Sequence, residues 1–167
     1  MTRRAPVLAA ALALATLVAF AAVISDAKDL ITPGPPLRYQ RPTSPLLIVL
    51  PSGDLIAMGG DLRYGHYAEA ERLPANGRRW RSAGTAPTKG SALLADAALL
   101  RDGRVLVIDL QGGSSLYDPA RNRWRVGPPV GAVRGKAALA ALPDGTALAS
   151  GGCCAEKSSD ALSAAEI

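Results

Sequence analysis

The chain holds one histidine, two cysteines and one phenylalanine among its 167 residues. So few imidazoles and thiols leave no donor set for a zinc or copper centre built from several such ligands. Aromatic residues are 4% of the chain, and beyond the N-terminal segment they are Tyr39, Tyr64, Tyr67, Tyr117, Trp80 and Trp124. That scarcity argues against a platform for stacking bases, and against a groove lined with sugar-stacking rings. A phosphate-binding glycine loop, a Gly-x-Ser-x-Gly nucleophile elbow and a metalloprotease helix motif are all missing. Charge is also modest. The formal net charge is +5, and setting aside Arg3, Arg4 and Asp26 leaves 17 basic against 13 acidic residues. The basic residues are scattered arginines rather than one block, which excludes nucleic acid from the expected partners.

What is present begins with a long apolar run. Arg3 and Arg4 precede an unbroken stretch from Ala5 to Ile24, and Ser25-Asp26-Ala27 supplies a small-x-small pattern before Lys28. This fits a signal peptide over residues 1–27, cleaved on export. The run is also close to the ~20 residues that cross a bilayer, so a retained anchor is the alternative and a core helix the third. Residues 28–44 carry Pro33, Pro35, Pro36 and Pro42. They are expected to form an extended linker.

From Pro45 onward the sequence repeats itself. Leu50-Pro51-Ser52-Gly53, Leu100-Arg101-Asp102-Gly103 and Leu142-Pro143-Asp144-Gly145 each lie between two short apolar runs. Each predicts a β-hairpin whose glycine takes positive φ. The glycines are spaced by 50 and 42 residues and Trp80 and Trp124 by 44, which fits the ~40–50 residue period of four-stranded propeller blades. Pro74-Ala75-Asn76-Gly77-Arg78-Arg79-Trp80 matches Pro119-Ala120-Arg121-Asn122-Arg123-Trp124 with one residue inserted. Gly59-Gly60 and Gly151-Gly152 end the second strand of the first and third units. A helical solenoid is disfavoured because the apolar runs are short, broken by glycine and proline, and lack spacing at three and four. In Arg79-Trp80-Arg81 and Arg123-Trp124-Arg125, strand alternation sets each indole opposite its arginines. The tryptophans are therefore expected between adjacent sheets.

This order of motifs resembles the bacterial kelch repeat of the galactose-oxidase-like type: a Leu-Pro-Asp-Gly hairpin, a diglycine, a Tyr-Asp-Pro turn and a tryptophan. The middle unit has Tyr117-Asp118-Pro119 and Trp124 but Asp109-Leu110 in place of the diglycine, with Gly112-Gly113 following in a shortened hairpin. In the first unit Arg72-Leu73-Pro74 stands where Tyr-Asp-Pro belongs. The resemblance implies an all-β fold, an incomplete kelch-type propeller of about 2.5 four-stranded antiparallel blades over residues 45–167. Ala164-Ala165-Glu166-Ile167 falls where the third strand of the third unit begins, so this unit is expected to be truncated. A fragment of a longer propeller is the favoured account, and a ring assembled from several chains is the other.

Enzymes of this resemblance use a copper site with two histidines and two tyrosines, one crosslinked to cysteine. A single histidine does not furnish it, so that activity is not carried over. His66, between the first diglycine and the third strand, is expected to be a solvated loop residue. Adjacent Cα atoms are ~3.8 Å apart, short for a disulfide; Cys153 and Cys154 are left to pairing elsewhere, a strained vicinal bridge or free thiols. Asp102 and Asp144 belong to hairpins, Asp118 to an Asp-Pro turn, and Glu69 and Glu71 alternate along a strand, so no glycosidase pair is assigned.

No catalytic, cofactor-binding or metal residue is therefore assigned, no cofactor is expected, and the ligand-binding residues stay open. The expected function is non-catalytic binding of a protein or glycan by an exported propeller, at loops 61–67 and 153–163. The alternative is part of a galactose-oxidase-like secreted enzyme whose site lies in other blades. The expected location is secreted or periplasmic, with a membrane partner only if residues 1–27 are retained.

Overall fold

The computed structural model describes residues 33–60, 65, 68–88, 93–131, 137–152 and 165–167. The chain divides into Met1–Gly34 and Pro35–Ile167, and the fold concerns the second unit. Residues 1–27 and both cysteines lie outside the described residues, as do His66 and most of the 61–67 and 153–163 loops.

Among the described residues eleven strands form three antiparallel sheets and no helix occurs. The first sheet is β1 (Leu46–Val49), β2 (Leu55–Met58), β3 (Glu69–Leu73) and β4 (Arg81–Thr85), in that order. The second is β5 (Leu94–Leu99), β6 (Val105–Asp109), β7 (Ser114–Asp118) and β8 (Arg123–Val126). The third contains β9 (Ala138–Ala141), β10 (Ala147–Ser150) and β11 (Ala165–Glu166), with β10 central. Each sheet is a meander in which every strand pairs with its sequence neighbour. This all-β arrangement is consistent with an incomplete β-propeller-like fold.

The three expected hairpins are the same object down to their hydrogen bonds. Gly53, Gly103 and Gly145 donate to the carbonyls of Leu50, Leu100 and Leu142, at 2.8, 2.9 and 3.0 Å. Those leucines in turn donate to Asp54, Arg104 and Thr146, each at 2.8 Å. The glycines have φ of 81°, 83° and 95°, a region that costs an L-residue ~1–2 kcal/mol. Asp102 and Asp144 accept from the amides two residues on, at 3.0 and 2.9 Å, as turn carboxylates do. The shortened second connection of the middle sheet is also present: Asp109 Oδ1 accepts from the amides of Gln111 and Gly113 at 2.9 and 2.8 Å.

Register corrects one sequence expectation. Leu73 lies opposite Leu55 as Tyr117 lies opposite Val105, so Leu73-Pro74-Ala75 is the equivalent of Tyr117-Asp118-Pro119. The match of Pro74 to Pro119 was one residue out. Leu73 precedes Trp80, and Tyr117 precedes Trp124, by the same seven residues, so no insertion exists. Proline identity misled because both turns contain a proline at neighbouring positions.

The core lies between sheets. Ile56, Met58 and Ala70 of the first sheet pack with Val105, Val107 and Tyr117 of the second, all nearly inaccessible. A smaller cluster joins Leu106 and Leu116 to Leu139 and Ala147 of the third sheet. Every residue of β6 is buried, as a strand covered on both faces requires. The third sheet supplies mostly alanines, and a cavity of about 140 Å³ remains beside Leu106, Ile108, Leu139 and Ala149.

Candidate functional site: arginine clefts and a buried ion pair

The two tryptophans organise the outer strands. Trp124 tilts against Tyr117 with centroids 5.0 Å apart, and its Nε1–H donates to the Ala83 carbonyl of the first sheet at 2.7 Å. It thus bridges two sheets, as the sequence predicts. Trp80 is buried to 7% exposure and donates to the Pro35 carbonyl at 3.0 Å. The flanking Arg79, Arg81, Arg123 and Arg125 are exposed, so alternation sets indoles inward and guanidinium groups outward.

Those guanidinium groups line two open clefts. The first, about 710 Å³, is bounded by Pro35, Arg38, Arg78, Arg79, Trp80 and Arg81 among others. None of its four arginines forms an ion pair with a carboxylate among the described residues. The second, about 580 Å³, lies along the outer strand of the second sheet and includes Arg104, Arg121, Arg123, Trp124 and Arg125. There Asp118 pairs with Arg121 at 2.7 Å, and Asp102 outside the cleft pairs with Arg104. The Arg121 guanidinium holds the Asp118 carboxyl below its ordinary pKa, and Arg104 does the same for Asp102. The first cleft is therefore the stronger anion attractor. A planar guanidinium fork suits carboxylate or sulfate groups bidentately.

Sequence reading missed the most buried charges among the described residues. Arg41 and Glu71 have side chains 1% and 0% exposed and meet at 3.1 Å. Glu71 also accepts from the amides of Arg38 (2.7 Å) and Tyr39 (3.2 Å). Arg41 donates to the carbonyls of Gly59 (2.5 Å) and Glu69 (3.0 Å), while its Nε has no partner among the described residues. The stretch expected as a linker is irregular from Pro35 to Pro45, and these bonds fasten it to the first sheet. The strand Glu69–Leu73 carries three charged residues, and only pairing with Ala57 of the apolar neighbouring strand marks Glu71 as buried. Its partner thirty residues earlier was not locally visible.

A second charge pair ties sheets together. Arg72 donates to Asp54 at 2.6 Å and to the Pro119 carbonyl of the second sheet at 2.8 Å. The Ala75 amide and the Arg72 guanidinium hold the Asp54 carboxyl below its ordinary value. Burial pushes the Tyr117 phenol up, and its hydroxyl donates to Asn122 at 2.7 Å.

The chain matches no protein-family model and no curated protein. Among solved structures it is similar to a fungal alcohol oxidase of the AA5 family in complex with copper, with 17% identity and a TM-score of 0.58. The match covers 74% of this chain and 30% of that one, so the chain spans under a third of that enzyme's length. The likeness is one of fold, all-β with antiparallel sheets. The residues present do not fit a copper centre of several histidines, because the sequence has one, and no cluster of three metal-ligating side chains occurs among the described residues.

Proposed function

We propose that the chain is part of an exported kelch-type propeller that binds an acidic glycan without transforming it. One observation carries the reading: four arginines without carboxylate partners among the described residues, Arg38, Arg78, Arg79 and Arg81, share one open cleft beside a buried tryptophan. Uronate or sulfate groups spaced along a polysaccharide match such an array in charge and in fork geometry. The indole is buried and its N–H is engaged, so flat stacking of a nucleobase or neutral sugar has little support. The loops at 61–67 and 153–163 add to the recognition surface in this reading.

Calorimetry with polygalacturonate, and with starch as the neutral control, tests it. Binding of the acidic polymer alone, weakening from 50 to 300 mM salt, is expected. Arg79→Ser with Arg81→Ser should weaken it at least about tenfold, equal to 1.4 kcal/mol. Equal affinity for both polymers, or none for either, refutes the reading.

The other reading, part of a secreted oxidase whose active site lies in further blades, is favoured by the fold of the copper alcohol oxidase. No catalytic step is derived for it from the residues present.

A further inference from the structure

The walls of the first cleft come from two sources. Residues 78–82 lead into β4 and belong to the first sheet, whereas residues 35–38 come from the irregular segment ahead of β1. Arg78, Arg79 and Arg81 are therefore carried by the sheet, and Arg38 is brought to them by the segment. The cleft is whole only while that segment lies against the sheet.

Side chains do most of the fastening. Residues 35–45 form no strand ladder, and among the described residues their one main-chain bond to the rest of the fold runs from Thr43 to the Gly60 carbonyl, at 3.0 Å. The Trp80 indole holds the Pro35 carbonyl, and the Arg41 guanidinium holds the carbonyls of Gly59 and Glu69. Glu71 takes the remainder. Its Oε2 accepts from the Arg38 amide at 2.7 Å, and its Oε1 accepts from the Tyr39 amide at 3.2 Å and from Arg41 at 3.1 Å. The Arg38 guanidinium in turn lies over the Tyr39 ring, 5.8 Å from its centroid. One carboxylate thus fixes Arg38 through its own amide and through the ring beneath its charged end.

Glu71 cannot meet a ligand itself. Its side chain is 0% exposed, and it lies opposite the buried Ala57 of β2. Its influence on the cleft runs through the two amides. A carboxylate offers acceptors at both oxygens, which is what two amides and a guanidinium demand. A carboxamide of the same shape places donors at one of those positions. In either orientation an N–H of the segment would face another N–H, leaving a buried donor unpaired.

Resting on the acidic-glycan reading above, we propose that Glu71 is a positioning residue for the first cleft. It holds Arg38 so that an anionic group entering beside Arg79 and Arg81 meets a further guanidinium. Few main-chain bonds secure the segment, so it opens without unfolding the sheets. The open form lacks Arg38 in the cleft. The polymer therefore binds the docked form more tightly and, by linkage, fastens residues 35–41 to the sheet.

Calorimetry of the full chain with polygalacturonate reads the first half of the proposal. Glu71→Gln, with its β-sheet circular dichroism retained, should weaken binding about fivefold, the worth of one exposed charge pair. Arg38→Ser should weaken it by the same factor. The double variant should be no weaker than Arg38→Ser alone, because Glu71 acts through Arg38. Loss of a negative charge would by itself tighten anion binding, so the sign separates positioning from field. Leu106→Ala, a core truncation facing the third sheet, should leave the affinity unchanged and so exclude general destabilisation. Hydrogen exchange of the wild-type chain reads the second half and needs no variant. Saturating polymer should slow the amides of residues 35–41 by the same factor of about five, and leave the turn amides of residues 100–103 unaffected. Unchanged or tighter binding by Glu71→Gln, multiplied losses in the double variant, or unslowed exchange at 35–41 would each overturn the proposal. Where the wild type still prefers polygalacturonate to starch, those results remove the positioning role alone. A wild type that binds neither polymer removes the acidic-glycan reading as well.

Discussion

Removing the Glu71 carboxylate tests whether the segment ahead of β1 is part of the fold. Glu71→Ala leaves Arg41 with 1% of its side chain exposed and no counter-charge, and strips two backbone amides of their acceptor. Breaking a buried pair by deleting one member costs about 3–5 kcal/mol. With a urea slope of about 2 kcal/mol/M, the unfolding midpoint should fall by roughly 2 M. The double variant Glu71→Leu with Arg41→Met removes both charges and the orphan Nε, and should recover part of that loss, the amides of Arg38 and Tyr39 still lacking their acceptor. Urea unfolding followed by tryptophan fluorescence is the assay, since Trp80 is held by the Pro35 carbonyl of the same segment. A midpoint shift under about 0.3 M for Glu71→Ala, or a double variant no better than the single, would refute the reasoning.

Other outcomes follow from the same geometry. Gly103→Ala forces an L-residue to φ near 83° and should cost about 1–2 kcal/mol, read as a lower urea midpoint. Trp124→Ala removes the indole bridging two sheets and should cost about 3–5 kcal/mol, with a larger loss than Val126→Ala, whose side chain is exposed. Asp54 has a folded pKa below its unfolded value, so its contribution is full above about pH 4 and is lost as pH falls through the folded value. Asp54→Asn should therefore flatten the acid side of a stability-against-pH curve measured from pH 2 to 6. Ala149→Val extends into the 140 Å³ cavity and should raise stability by about 0.5–2 kcal/mol, seen as a higher midpoint.

The hairpins were legible because their chemistry is local: a glycine at positive φ and a carboxylate answering a nearby amide are written within five residues. β6 was legible as doubly covered because Val105 to Ile108 offers no polar face. Trp124 was legible as a bridge because alternation sets it apart from Arg123 and Arg125. The one-residue error at Pro74 arose because a turn proline fits more than one turn position, and only strand pairing fixes which. Arg41 and Glu71 were hidden for a different reason. Their attraction depends on burial, and burial of Arg41 is decided by a segment whose prolines and polar residues advertise exposure. The arginine clefts fell between these cases. Their residues were noticed, but their convergence with Arg38 depends on where that same segment lies.

Because each sheet is a meander of sequence-adjacent strands, its pairing is contained within a stretch of about 45 residues. Lengthening or shortening the gene by whole units would preserve every remaining junction, whereas a cut inside a unit strands half of a hairpin. Whole units, spaced as Trp80 is from Trp124, are therefore the steps by which such a chain can change length with its pairing intact.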